Sequence, residues 1–103
     1  MPTFVIAEIV NIHDPKTYDR YKDLAPLSIF TYGGRYAARG GTTEALEGSY
    51  ASDRYVVLEF PDADSARTWW NSPEYAEAKR MRQSSSTSRI VLTHGPAVEP
   101  PRK

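Results

Sequence analysis

Residues 32–41 read YGGRYAARGG, two glycine pairs around a short run with an arginine just inside each end. Such a stretch is either a phosphate-cradling loop or the pair of turns that bound one strand. A phosphate loop runs strand, glycines, then the N-terminus of a helix, so that free N–H groups and the positive end of the helix dipole face the anion. Here the order is reversed. Upstream, Tyr18, Tyr21 and Leu24/Ala25 recur at spacings of three and four, with Lys16, Asp19, Arg20, Lys22 and Asp23 mostly outside that stripe. Downstream, Arg35–Arg39 alternates as a short strand does. Gly33 therefore reads as the left-handed cap that ends a helix, and the stretch as a helix-to-strand corner.

Working outward, Thr3–Asn11 is β-branched and apolar on both faces, interrupted only by Glu8, which predicts a central strand covered on both sides. In His13-Asp14-Pro15 the aspartate can cap a helix whose first position is proline. Pro26 removes a backbone donor inside that helix and predicts a bend or restart before Ile29, Phe30 and Tyr32. Thr42–Asp53 is a polar connection, of a length that in small domains is often functional. Arg54–Phe60 alternates, with Val56, Leu58 and Phe60 on one face and Tyr55, Val57 and Glu59 on the other. Pro61-Asp62 opens a helix through Ala66 and Trp69/Trp70. Ser72-Pro73-Glu74 opens another, which carries Tyr75, Ala78, Met81 and Arg82 until the serines at 84–86 break it. Arg89–His94 is the last strand. Residues 1–95 thus read as one domain and 96–103 as an extended proline-rich tail.

The order βαββαβ, with the second helix split, calls for right-handed crossovers and gives a ferredoxin-like α+β sandwich, an antiparallel sheet in order 4-1-3-2 with its helices on one face. Neither sheet face is clearly polar, so a second copy is the expected cover of the free face, and a homodimer the expected assembly.

Composition removes several function classes. The chain has 103 residues, 13 basic and 13 acidic, with 40% hydrophobic and 12% aromatic residues and no cysteine. A balanced charge without a basic stripe makes nucleic acid a poor partner. The absence of cysteine excludes disulfides, thiol catalysis and thiolate metal sites. No segment approaches the roughly 20 apolar residues that span a bilayer, so no membrane partner and a cytoplasmic location are expected. His13 and His94 lack partners at ligand spacing, and no bound metal or cofactor is expected. Serine-hydrolase, zinc-peptidase and Walker motifs are missing from the sequence.

The set Y-G-G-R-Y at 32–36, R-G-G at 39–41, E-G at 47–48, E-F-P at 59–61 and W-W-N-S-P-E-Y at 69–75 covers nearly the whole chain. In this order it resembles the domain-of-unknown-function family 1330, small bacterial proteins of the dimeric α+β barrel group. The resemblance implies the fold and the dimer, and no reaction. The wider group includes cofactor-free monooxygenases, lactone isomerases, haem proteins and ligand sensors.

The expected site is a pocket between helices and sheet. Arg39 and Glu59 are the candidate catalytic residues, Glu59 as a proton carrier and Arg39 as an anion holder. Tyr21, Tyr32, Trp70 and Tyr75 are the candidate ligand contacts, with Trp69 beside them. Each has a plainer reading: aromatics at helical spacing as core, Arg39 and Glu59 as a cross-strand ion pair, and Glu8 with Arg35 as another. Two functions stay open, beside a plain dimer whose pocket is filled by its own side chains. One is a cofactor-independent small-molecule enzyme, monooxygenase- or isomerase-like. The other is a non-catalytic dimer that binds a small aromatic or acidic ligand.

Overall fold

The structure, a computed structural model, describes residues 2–96 and 98–101. Its elements are β1 (Thr3–Ile12), α1 (Pro15–Thr31), β2 (Arg35–Arg39), β3 (Arg54–Phe60), α2 (Ala63–Trp70), α3 (Pro73–Ser85) and β4 (Ser86–His94). The four strands form one antiparallel sheet in the order β2-β3-β1-β4, the expected 4-1-3-2 read from its other edge. This is a ferredoxin-like α+β fold.

Each helix begins where a side chain can accept from a free backbone donor. Asp14 accepts from Thr17 N at 3.3 Å, Asp62 from Ser65 N at 2.7 Å and Ser72 from Tyr75 N at 3.2 Å. Proline follows at once in α1 and α3, where its missing N–H is harmless. The end of α1 matches the sequence reading: Gly33 takes φ +82°, and Gly34 N donates to Ile29 O at 3.0 Å. Gly34 itself must lack a side chain, because a Cβ there would lie 2.6 Å from the Phe60 ring and 2.8 Å from Ile29.

Two expectations about element boundaries are corrected. Pro26 neither breaks nor restarts α1, which runs unbroken through it. The carbonyl that loses its donor to a proline lies four residues back, at Lys22, and the Arg39 guanidinium donates to that oxygen at 2.7 Å. The serines do end α3, but the last strand starts three residues before the expected Arg89. Helix α3 runs to Ser85 and β4 starts at Ser86, because Ser85 Oγ and Ser86 Oγ bond back to Met81 O and Arg82 O, both at 2.6 Å, and so satisfy the last helical carbonyls.

The strand period sorts β1 into two faces. Thr3, Val5, Ala7 and Ile9 are buried under the helices, while Phe4, Ile6, Glu8 and Val10 are half-buried on the outer face. The core under the helices joins Val5, Leu58 and Phe60 of the sheet to Ala25 and Ile29 of α1 and to Ala66, Trp69, Tyr75 and Ala78 of α2 and α3. Trp69 stands at its centre, 4.2 Å from Tyr75 and 5.4 Å from Phe60 between ring centroids, and its indole N–H donates to Ser28 Oγ at 3.1 Å.

Candidate anion-binding groove between helices and sheet

The register decides which candidate residues meet. A bulge between Tyr36 and Ala38 shifts β2 against β3, so Arg35 lies opposite Glu59 and Arg39 opposite Val56. Glu59 therefore projects from the outer face, where it accepts from Arg35 Nη2 at 2.5 Å. Arg39 points to the helix side, bonded to α1 and stacked 4.6 Å over the Tyr36 ring. The sheet separates the two expected catalytic residues, and they neither pair with each other nor share one pocket. The expected Glu8–Arg35 pair is corrected in the same way. Glu8 lies opposite Arg89 and accepts from its Nε at 2.9 Å. Ser52 and Tyr55 also donate to Glu8, at 2.5 Å and 3.2 Å. These partners, Arg89 foremost, hold the Glu8 carboxyl at about 2, well below its ordinary 4.5. The 42–53 connection thus ties down on the outer face of β1, with Asp53 accepting from Ile12 N at 2.8 Å.

Of the candidate ligand contacts, Tyr32 lies apart, its hydroxyl on the exposed Glu74 at 2.8 Å. Tyr21, Tyr75 and Trp70 come together, and what joins them is a residue outside the expected set. Arg82 of α3 is only 2% exposed. Its Nε donates weakly to Tyr75 Oη at 3.4 Å, its Nη1 donates to Ser88 Oγ at 2.7 Å, and its guanidinium lies 5.6 Å from the Trp70 ring centroid. Tyr75 Oη is in turn 3.5 Å from Tyr21 Oη. Burial first, then the neighbouring Tyr75, pushes the Tyr21 hydroxyl well above its ordinary range. Among the described residues no carboxylate pairs with Arg82, and its buried Nη2 has no hydrogen-bond partner.

Arg82 lines a groove between α3 and β4, with Trp70, Gln83, Thr87, Ser88 and Ile90 around a volume of about 450 Å³. Trp70 and Ile90 also belong to an adjoining cavity of about 350 Å³ that continues past Asn71 and Leu92 toward Val5. Neither cavity is lined by an acid or a histidine. The arrangement offers an aromatic wall, an apolar floor, hydroxyl groups and one buried cation. It can hold a planar anion, and it supplies no general base.

The sequence did carry a sign of Arg82. Tyr75, Ala78 and Arg82 follow the 0, 3, 7 spacing of one helix face, so a buried stripe on α3 puts an arginine at a core position. Ser88 had no such signal, because the start of β4 depends on how the serines cap α3.

The family model for a domain of unknown function (DUF1330) matches residues 2–96. The chain belongs to the DUF1330 family. No functionally curated protein matches this DUF1330 chain. Among solved structures it is similar to a protein of unknown function from Rhodopseudomonas palustris, with 17% identity, TM-score 0.76, and coverage of 94% of this chain and 84% of that one. It is also similar to a dimeric ferredoxin-like protein of unknown function from a Jannaschia species, at 9% identity and TM-score 0.68 over 92% of this chain and 100% of the other. A third is SnoaB, a cofactor-independent oxygenase from Streptomyces nogalater, at 18% identity and TM-score 0.59, with 97% of each chain covered. At these identities the likeness is one of fold. No helix among the described residues is long and apolar enough to cross a membrane.

Proposed function

We propose that this DUF1330 protein binds a small planar anion, an aromatic molecule bearing a carboxylate, phenolate or enolate oxygen, in the groove between α3 and β4. The observation that carries the reading is Arg82: a guanidinium that is 2% exposed, has no acidic partner among the described residues and keeps one buried nitrogen unbonded. A buried cation without a counter-charge is costly, and a bound anion removes that cost. Trp70 stacks the ring, and Ser88 fixes the guanidinium that receives the oxygen. Thermal denaturation with salicylate, 1-naphthoate and the neutral 1-naphthamide tests this. The acids should raise the midpoint and the amide should not. In Arg82→Gln the rise should vanish, and equal shifts with acid and amide would refute the anion reading.

A catalytic version of this reading has its own support, the Tyr21–Tyr75 hydroxyl pair that reaches Arg82. With no acid or histidine lining the groove, a substrate must itself ionise easily, as the reactants of cofactor-free oxygenases and isomerases do. SnoaB, which has this fold, is such an oxygenase. Dioxygen consumption with 1,4-dihydroxynaphthalene, lost in Tyr75→Phe while acid binding persists, would establish catalysis. Binding without consumption leaves a ligand-binding protein.

The assembly belongs to the same proposal. On the outer face Ile6 lies between Val57 and Val91, an apolar row across three strands, and Val91 is 55% exposed. The Glu8–Arg89 and Arg35–Glu59 pairs flank the row. A second copy laid face to face would cover it, and the similar ferredoxin-like protein from Jannaschia is dimeric.

A further inference from the structure

A second set of cations gathers around Tyr18 and Tyr36, and the proposed function does not use it. Arg54 of β3 faces the helices opposite Ile9 and lies 5.5 Å from the Tyr18 ring centroid. Lys22 of α1 lies 6.0 Å from the same ring. Arg39 stacks on Tyr36 and is fixed to α1 through the carbonyl that Pro26 leaves free. Among the described residues the acid paired with these three cations is Asp19, 3.1 Å from Lys22, which leaves an excess of two positive charges in the set.

The Arg54 side chain has the marks of a held and unfinished ligand. Its Nε is buried without a hydrogen-bond partner among the described residues. Its guanidinium lies against the backbone of Gly40, where φ is +64° and any Cβ would overlap the guanidinium. The glycine pair at 40–41 thus does more than turn the chain, since Gly40 makes room for a charged group beside Arg39. Both arginines act on the hydroxyls of Tyr18 and Tyr36, and burial of those phenols outweighs them and pushes both up. Like charges gathered on two aromatic rings repel one another unless an anion joins them.

We infer that Arg39, Arg54 and Lys22 form a second anion site, for a doubly charged tetrahedral oxyanion such as a phosphate group. Two guanidinium forks suit such an oxyanion, and the charge excess matches its charge. The inference is independent of the groove reading, because Arg82 takes no part.

Calorimetric titration with inorganic phosphate at fixed ionic strength tests it. Wild type should bind one phosphate saturably. Arg54→Gln and, separately, the exposed-site variant Arg39→Gln should weaken that binding by at least about tenfold, the loss of one charge-assisted fork. Arg82→Gln should leave it unchanged. Phosphate binding that survives both Arg39→Gln and Arg54→Gln, or no saturable binding to wild type, overturns the site. Phosphate binding lost in Arg82→Gln and kept in the other two overturns it as well, by moving the anion to the groove.

Discussion

The two faces of the sheet treat charge in opposite ways. On the outer face every acid of β1 and β3 has a cation: Glu8 has Arg89 and Glu59 has Arg35, in pairs that keep contact with water. On the helix side Arg39, Arg54 and Arg82 have no carboxylate partner among the described residues, and Arg82 is the most deeply buried of all the charged groups described. Exposed pairs contribute little to stability and mostly fix which surfaces can meet. A buried cation left unpaired works against folding, and it persists where it meets something outside the chain. The contrast locates the candidate chemistry on the side of the sheet where charge is incomplete.

The largest expected effect probes how tightly the helix side is built. Gly34→Val drives a branched side chain into Phe60 and Ile29, and should destabilise by about 3 kcal/mol in urea denaturation. A loss below about 1 kcal/mol would show that this layer yields easily. Wild type should be a dimer by light scattering, as proposed, and Ile6→Lys, on the outer face, should give a monomer at the same concentration. An unchanged dimer would move the interface off the sheet.

Next is Arg82→Met. If the buried guanidinium serves a ligand more than the fold, the apolar replacement should raise the stability of the ligand-free protein by about 1–2 kcal/mol and abolish acid binding. Destabilisation by a similar amount would make Arg82 a structural strut.

The outer face gives the smaller effects. The Glu8 carboxyl is lowered in the folded protein to about 2, from 4.5, chiefly by Arg89. A depressed carboxylate stabilises above its unfolded value, and that stabilisation is lost as the pH falls through the folded one. Wild type should therefore lose stability between about pH 4.5 and 2, and Glu8→Gln should flatten that limb. Identical acid limbs would detach Glu8 from the outer-face network. Smallest of all, Arg35→Ala should change stability by no more than about 0.5 kcal/mol, because the pair with Glu59 is largely exposed.

The fold was legible in the sequence because its signals are local. Asp14-Pro15, Ser72-Pro73 and Gly33 mark helix ends whatever the rest of the chain does, and β3 alternates cleanly. The site was only half legible, because strand register is not local. One bulge in β2 turns Arg35 toward Glu59 and Arg39 away from it, and nothing in RYAAR announces where that bulge falls. The unbroken α1 was equally hidden: Pro26 is tolerated because a distant arginine bonds the carbonyl it leaves free. Tyr21, Trp70 and Tyr75 were singled out by residue type and the fold brings them together at Arg82, whereas Arg82 itself needed its helical spacing read as burial.

The most direct test follows the arginine Nε–Hε resonances by NMR while salicylate is added. The account predicts that the Arg82 signal shifts and saturates at one ligand per chain, while those of Arg35 and Arg89 on the outer face stay in place. Equal movement of all three, or an Arg82 signal that does not respond, would contradict it.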